Sequence, residues 1–295
     1  MRIRGPIHMI ELDNRIIGIK DRNRIVFFYF HNSQMNLFKR YLYINNWIDL
    51  SYDSKLTKKG CYLAYPVSVV YKIEVLNKLN HIVYYSKNSI NQSSYDFLNT
   101  LGNKLFLDLE MTMPSYSFRG KGFRTELIQA GLLLIDEKSN TVLKYDNYIK
   151  AKLSPIISKR ALDFLNISLE EYQSKAIDYQ EFYAVFKDII ERYNPAIIVY
   201  GKNDILVLND SYDINNVPSL KDECRFINLC QLIKTYYELK NDPGLFKLYN
   251  LYYKNVDEQV HDALGDSFAT YKVFEAFKED IKTAKMVDAI RDNFE

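Results

Sequence analysis

The run Leu105-Phe106-Leu107-Asp108-Leu109-Glu110 holds two acidic residues one position apart in an otherwise apolar stretch. In a strand, the two-residue period turns Leu105, Leu107 and Leu109 to one face and Asp108 with Glu110 to the other. Two charges side by side are costly to bury alone, so the pair must meet a cation or open onto a cleft. Oxygen donors of this kind suit hard divalent ions, Mg2+ or Mn2+. An Asp-x-Glu triplet is expected about once by chance in such a chain, and the exposed face of an edge strand accounts for it as well.

A second acidic position closes Tyr200-Gly201-Lys202-Asn203-Asp204, where a short apolar strand ends in glycine and a helix begins. Ligands of open α/β sheets bind at such carboxyl ends. The competing expectation is that Asp204 serves only as the N-cap of a helix over Ile205–Leu208. In His261-Asp262-Ala263-Leu264-Gly265-Asp266, a histidine precedes a helix and an aspartate lies in its first turn, where the helix dipole favours a carboxylate. Imidazole titrates near neutrality and suits a base that activates water. The spacing alone is not special, because His8 and Asp13 repeat it in a segment that reads as strand and turn. His31 and His81 have no acidic neighbour nearby in sequence and are expected to be surface or structural.

The elements that must position these residues follow from periodicity. Strand-like runs span Lys104–Met111, Thr125–Ile135 and Thr141–Lys150, with connections short enough for antiparallel neighbours. Tyr179–Tyr193 has the apolar face of a helix, stopped by Asn194-Pro195; Ala196–Tyr200 and Arg225–Leu229 read as buried strands, and Ala263–Phe277 as a helix. The order βββαβαβα predicts a mixed sheet with helices on its faces, an α/β fold. Upstream, Ile10–Ile19, Ile25–Phe30, Tyr41–Leu50 and Cys61–Tyr71 read as strands of a small barrel or curved sheet, with a turn at Asp21-Arg22-Asn23 and a linker at Asn88–Ser94. The expected organisation is a basic β-rich domain over 1–98, a catalytic domain over 99–282 and a tail over 283–295.

With 295 residues, 47% hydrophobic and 26% charged, the chain has a globular composition, and no apolar run is long enough to span a bilayer. No signal-peptide pattern opens it, so no membrane association and a cytoplasmic location are expected. Cys61, Cys224 and Cys230 fit neither a disulfide framework nor a zinc site. Residues 1–100 hold 14 Lys and Arg against 7 Asp and Glu, a net +7, whereas residues 101–295 carry a net −5. A basic front suits backbone phosphates and an acidic back suits bound cations, although scattered surface charge gives the same totals.

Taken together, the three acidic segments resemble, in order and context, the DEDDh exonuclease superfamily over about residues 103–280. The resemblance implies a ribonuclease H-like fold and a two-metal 3′→5′ exonuclease acting on single-stranded nucleic acid. By that resemblance Asp108 bridges two ions, Mg2+ or Mn2+. Glu110 and Asp266 hold the ion that carries the attacking water, Asp204 supports the second through water, and His261 takes the proton. Main chain at Met111 and Thr112 is implied to recognise the terminal 3′-OH, and Glu126-Leu127-Ile128-Gln129-Ala130-Gly131 also looks like a family segment.

Between the first two strands, Arg119, Lys121 and Arg124 interleave with Tyr116, Phe118 and Phe123 in a loop suited to phosphates and bases, or to an ordinary solvated connection. Lys144, Lys150 and Lys152 are open to the same two readings. The front domain resembles an oligonucleotide-binding barrel in composition: Phe27, Phe28, Tyr29, Phe30, Tyr41, Tyr43 and Trp47 mix with Arg22, Arg24, Lys39 and Arg40. Alternation makes about half of these aromatics core. RNA is the favoured substrate, because the front domain suits single strands and no polymerase segment is present. The alternatives are a DNA exonuclease of repair or proofreading and a catalytically silent nucleic-acid-binding module.

Overall fold

A computed structural model describes residues 1–76, 81–154, 156–254 and 262–294, which separate into two units, Met1–Ser94 and Tyr95–Glu295. In the first unit β1 (Arg2–Glu11), β2 (Ile16–Asp21) and β3 (Arg24–Tyr29) form an antiparallel meander. A short helix α1 (Asn32–Phe38) follows, then β4 (Trp47–Tyr52), β5 (Thr57–Lys59), β6 (Tyr62–Leu76) and β7 (His81–Ser86). β4 pairs with both β1 and β6, and β6 returns parallel to β3 at Phe28↔Tyr65 and Tyr29↔Pro66. The ring β1-β2-β3-β6-β4 is therefore closed into a small barrel, which removes the unpaired edges an open sheet leaves. Ile7, Ile17, Ile19, Phe28, Ile48, Leu50, Val70 and Ile73 fill it, and α1 contributes Met35 and Phe38 to the same core.

Several boundaries in this unit differ from the sequence reading. Ile10–Ile19 is not one strand but two, split by a turn at Leu12–Arg15 in which Arg15 takes a left-handed φ of 58°. Tyr41–Leu50 starts as the end of a 3-10 turn and becomes strand only at Trp47, because Asn45 at φ 70° breaks the extension. The expected linker Asn88–Ser94 lies inside helix α2 (Lys87–Asn99), whose polar surface hides a single buried anchor, Leu98.

The second unit is a five-stranded sheet in the order β10-β9-β8-β11-β12: β8 (Lys104–Met111), β9 (Leu127–Ile135), β10 (Thr141–Tyr148), β11 (Ala196–Val199) and β12 (Arg225–Asn228). The first three are antiparallel, and β11 runs parallel to β8 and β12. Helices α3 (Lys159–Leu165), α4 (Leu169–Lys175), α5 (Tyr179–Tyr193) and α6 (Asn203–Asn215) come next in the chain, followed by α7 (Leu229–Tyr237), α8 (Leu245–Tyr253), α9 (Ala263–Thr283) and α10 (Val287–Phe294). Leu105, Leu107 and Leu109 share one core with Phe182, Phe186 and Ile189 of α5 and Leu208 of α6. Phe106 of the same strand joins the other core, with Ile233 of α7, Leu248 of α8 and Val273, Phe274 and Phe277 of α9.

The architecture is the expected mixed sheet of the ribonuclease H-like kind, with extra helices that short, weakly periodic segments do not advertise. Residues 283–295 are not a bare tail: α10 buries Ile290 completely, and Arg291 pairs with Glu238 at 2.9 Å. No helix among the described residues is long and apolar enough to cross a membrane.

Candidate active site

The face of β8 opposite its leucines is where the acidic residues gather. Asp108 and Glu110 leave the strand on the side of α9, whose first turn carries Asp266. Asp108, Glu110 and Asp266 each offer a carboxylate oxygen, and these three oxygens lie within 4.8 Å of one another. The approach of α9 depends on Gly131, which pairs with Asp108 across β8 and β9. A Cβ at Gly131 would stand 2.1 Å from the carbonyl carbon of Ala263, so only glycine lets the helix rest on the strand there. Ser267 Oγ then donates to the Gly131 carbonyl at 2.8 Å, and the Asp262 side chain caps the helix by accepting the Gly265 amide at 3.0 Å.

Asp204 enters from the first turn of α6. It does not cap that helix, whose N-cap position is Lys202; instead its Oδ1 accepts the Leu109 amide at 3.1 Å. The bend that allows this is Gly201, at φ 125°, a conformation that side chains with a Cβ rarely adopt.

Four carboxyl groups thus share a small, largely dry volume. Burial, then repulsion from Asp204 and Asp262, pushes Glu110 up to about 7. Burial, then the charges of Glu110, Asp262 and Asp204, does the same for Asp266, to about 7. Burial carries Asp204 to about 6 against the opposing Leu109 hydrogen bond. Asp108, facing Asp204, Asp266 and Glu110, is raised well above the usual carboxylate range, with burial the first cause. An all-oxygen, acidic, desolvated donor set is stabilised by a hard divalent cation, and these residues fit one.

The remaining expected site residues fall in different places. His261 lies outside the described residues. Thr112 is buried and committed within the fold: its amide donates to the Glu126 carbonyl at 2.8 Å and its hydroxyl accepts the Glu126 amide at 2.8 Å. Met111 is partly buried next to it. Arg119, Lys121 and Arg124 are exposed on the loop joining β8 to β9, and Arg119 donates to the carbonyls of Tyr116 and Phe118. The base of that loop is pinned by the buried Glu126 carboxylate, which accepts the amides of Lys152, Leu153 and Ser154 at 2.6 to 2.8 Å. Lys150 pairs with Asp178 and Lys152 donates to the Ile214 carbonyl, so both are engaged within the fold.

Sequence reasoning assigned no role to Gln129, Asp146 and Asp262. Gln129 pairs with Glu110 across the strands, is 1% exposed, and donates to Asp146 at 2.9 Å and Asp262 at 3.2 Å. It joins β9, β10 and the start of α9 beside the acidic cluster. The signal for it was a lone amide inside the apolar run Leu127–Ile135.

The RNase_T exonuclease family model matches residues 105–274. The chain is 27% identical over 183 residues to the probable 3′-5′ exonuclease KapD of Bacillus subtilis (strain 168), a match covering 61% of this chain and 87% of that protein. Among solved structures, cell-death related nuclease 4 is similar at a TM-score of 0.51 and 17% identity, covering 62% of this chain and 64% of that one, less than two thirds of its length. The nuclease domain of 3′hExo, described as a DEDDh family member bound to rAMP, aligns at a TM-score of 0.48 and 16% identity over 62% of this chain and 94% of that one.

Proposed function

The chain belongs to the RNase_T exonuclease family, and from that premise we propose that it is a 3′→5′ exonuclease of the DEDDh type that shortens single-stranded nucleic acid from the 3′ end, RNA in preference to DNA, with two divalent cations, Mg2+ or Mn2+. The observation that carries this reading is the set of three oxygens from Asp108, Glu110 and Asp266 within 4.8 Å of one another, with Asp204 sharing their electrostatic environment. Bound there, the cations neutralise charge that develops on the scissile phosphodiester and make water a stronger nucleophile near neutral pH.

Asp108, Glu110 and Asp266 would hold one cation, which would activate the attacking water, and Asp108 with Asp204 would support a second. His261 accepts, at a ring nitrogen, the proton that the attacking water gives up. Main chain at Met111 and Thr112 meets the terminal 3′-OH, and Arg119, Lys121 and Arg124 hold backbone phosphates from the exposed loop. Glu126 takes the Thr112 amide and hydroxyl, which holds that stretch of main chain still and leaves the Thr112 amide no part in meeting the 3′-OH.

The test is a direct comparison of substrates. RNA and DNA oligomers of one sequence, each with a 3′-OH or a 3′-phosphate, are incubated with the chain in Mg2+, in Mn2+ and in EDTA. The expected result is stepwise shortening of the 3′-OH strands, faster for RNA, silent in EDTA and slowed by the 3′-phosphate. Faster turnover of DNA overturns the preference for RNA, and internal cleavage overturns the exonuclease reading.

A further inference from the structure

Away from the acidic cluster, the first unit carries a second arrangement that neither the core nor the catalytic chemistry uses. Alternation along β3 sends Phe28 into the barrel and turns Ile25, Phe27 and Tyr29 outward. The register places Phe27 beside Gly18 of β2 and Gly18 beside Met9 of β1, so these residues share one outer face. Gly18 is bare for a reason: a Cβ there would lie 2.8 Å from Ile25 Cγ2 and 3.3 Å from both Met9 Cβ and Phe27 Cε1. The side chains therefore lie down over the strand. Tyr62, the first residue of β6, brings its ring to 5.0 Å from that of Phe27, and its hydroxyl reaches the Met9 sulfur at 3.8 Å. Lys59 of β5 sits with Nζ 4.4 Å over the Tyr29 ring.

Phe27, Tyr29 and Tyr62 thus form a band of partly exposed rings, flanked by Lys59 and by exposed Lys20 on β2, whereas Lys58 pairs with Leu63 and turns to the other face of the hairpin. The unit as a whole is basic, although Glu11 shares this face beside Tyr62. Residues 1–94 hold 14 Lys and Arg against 6 Asp and Glu. Three of those acids are already matched: Asp49 by Arg2, Asp21 by Arg24, and Glu74 by Arg4, Lys72 and His81. Rings half open to water, rimmed by ammonium groups, suit a ligand with flat apolar faces and regular negative charge.

We propose that this face of the barrel binds single-stranded nucleic acid, stacking unpaired bases on Tyr29, Phe27 and Tyr62 while Lys20 and Lys59 hold phosphates. The proposal rests on the reading that the second unit consumes the same kind of strand. A duplex buries the base faces that the rings need, so the surface discriminates by strandedness rather than by sequence. Phe28 and Phe30, inside the core, take no part. Tyr41 and Tyr43 lie on other elements, Tyr41 stacking on Tyr84 of β7.

The experiment uses the full chain in EDTA, with a fluorescent strand of about 20 nucleotides, longer than one such barrel covers, presented single and as a duplex with its complement. Three variants are compared with wild type: F27L/Y29L/Y62L, which keeps apolar volume and removes the rings; K20E/K59E; and Y41L/Y43L as the control. Each is checked for an unchanged melting transition. The expected result is a Kd for the ring variant raised at least about tenfold. The charge variant should bind more weakly, with a slope of log K against log salt flatter by about 0.7 for each phosphate it no longer holds. The control should bind as wild type, and all three should shorten a trinucleotide at the wild-type rate when Mg2+ is restored. If the ring variant fails to fold, the charge variant alone decides. A folded ring variant that binds like wild type overturns the proposal, as does an equal loss on single strand and duplex. Should wild type bind the strand yet hydrolyse nothing, the barrel proposal stands and the catalytic reading falls.

Discussion

Four carboxyl groups held at close range make the individual acids the first place to look. Asp108→Asn keeps side-chain volume and removes one anionic oxygen donor, so hydrolysis should be abolished, and turnover within about tenfold of wild type would contradict the assignment. The same substitution relieves repulsion from Asp204, Asp266 and Glu110. In EDTA the variant should therefore melt at a higher temperature than wild type, an outcome no purely structural role for Asp108 predicts. For His261→Ala, kcat should fall by roughly 10²–10⁴-fold with KM nearly unchanged, the usual range for a positioned general base. An equal loss in binding with an unaltered pH–rate profile would make His261 structural instead.

The raised carboxyls also give a stability profile. Glu110 and Asp266 sit at about 7 and Asp204 at about 6, against ordinary values near 4, so the folded chain keeps protons that the unfolded chain has released. The metal-free protein should lose stability as pH rises from about 4 to about 7. Divalent cation should restore it at the upper end. A melting temperature flat across that window in EDTA would argue against burial of the cluster.

Elements explain why these residues meet, and Gly131 is the clearest case. Gly131→Ala places a methyl group where the Ala263 carbonyl already lies, so the first turn of α9 must move and take Asp266 with it. Activity should fall by about 10²-fold, as expected for a displacement of the order of 1 Å, with loss of thermal stability as well. An active, equally stable variant would show that α9 tolerates the shift.

How much was legible varies with the same logic. The period-two face of β8 put Asp108 and Glu110 together correctly, because an apolar strand with two acids admits one arrangement. The apolar face of α5 fixed its span, Tyr179–Tyr193, without error. Helix α2 was read as a linker because its stability comes from tertiary packing at Leu98 and not from its own polar sequence. The capping reading of Asp204 was open on sequence and closed by the Leu109 hydrogen bond, which spans 95 residues and which no local pattern encodes. Gln129 was missed for the same reason, since its partners are on β10 and at the start of α9.

At the scale of the whole molecule, the charge split seen in the sequence separates along the two units: a basic barrel with outward rings, and a nuclease sheet whose acids converge at one point. The family match covers the second unit only, over residues 105–274. If the barrel engages long strands, the advantage of long over very short substrates should shrink as salt is raised, because bonds to phosphates are screened while the acidic centre is not. A length dependence unchanged by salt would assign the barrel another task.

The central claim, that Asp108 and its neighbours form a metal-dependent 3′→5′ exonuclease centre, is tested most directly by a single gel. A 5′-labelled single-stranded RNA is incubated with wild type in Mg2+, with wild type in EDTA, and with Asp108→Asn in Mg2+. The account predicts a descending ladder of products shortened from the 3′ end in the first lane and intact RNA in the other two. A ladder that persists in EDTA or in the folded Asp108→Asn variant would contradict it.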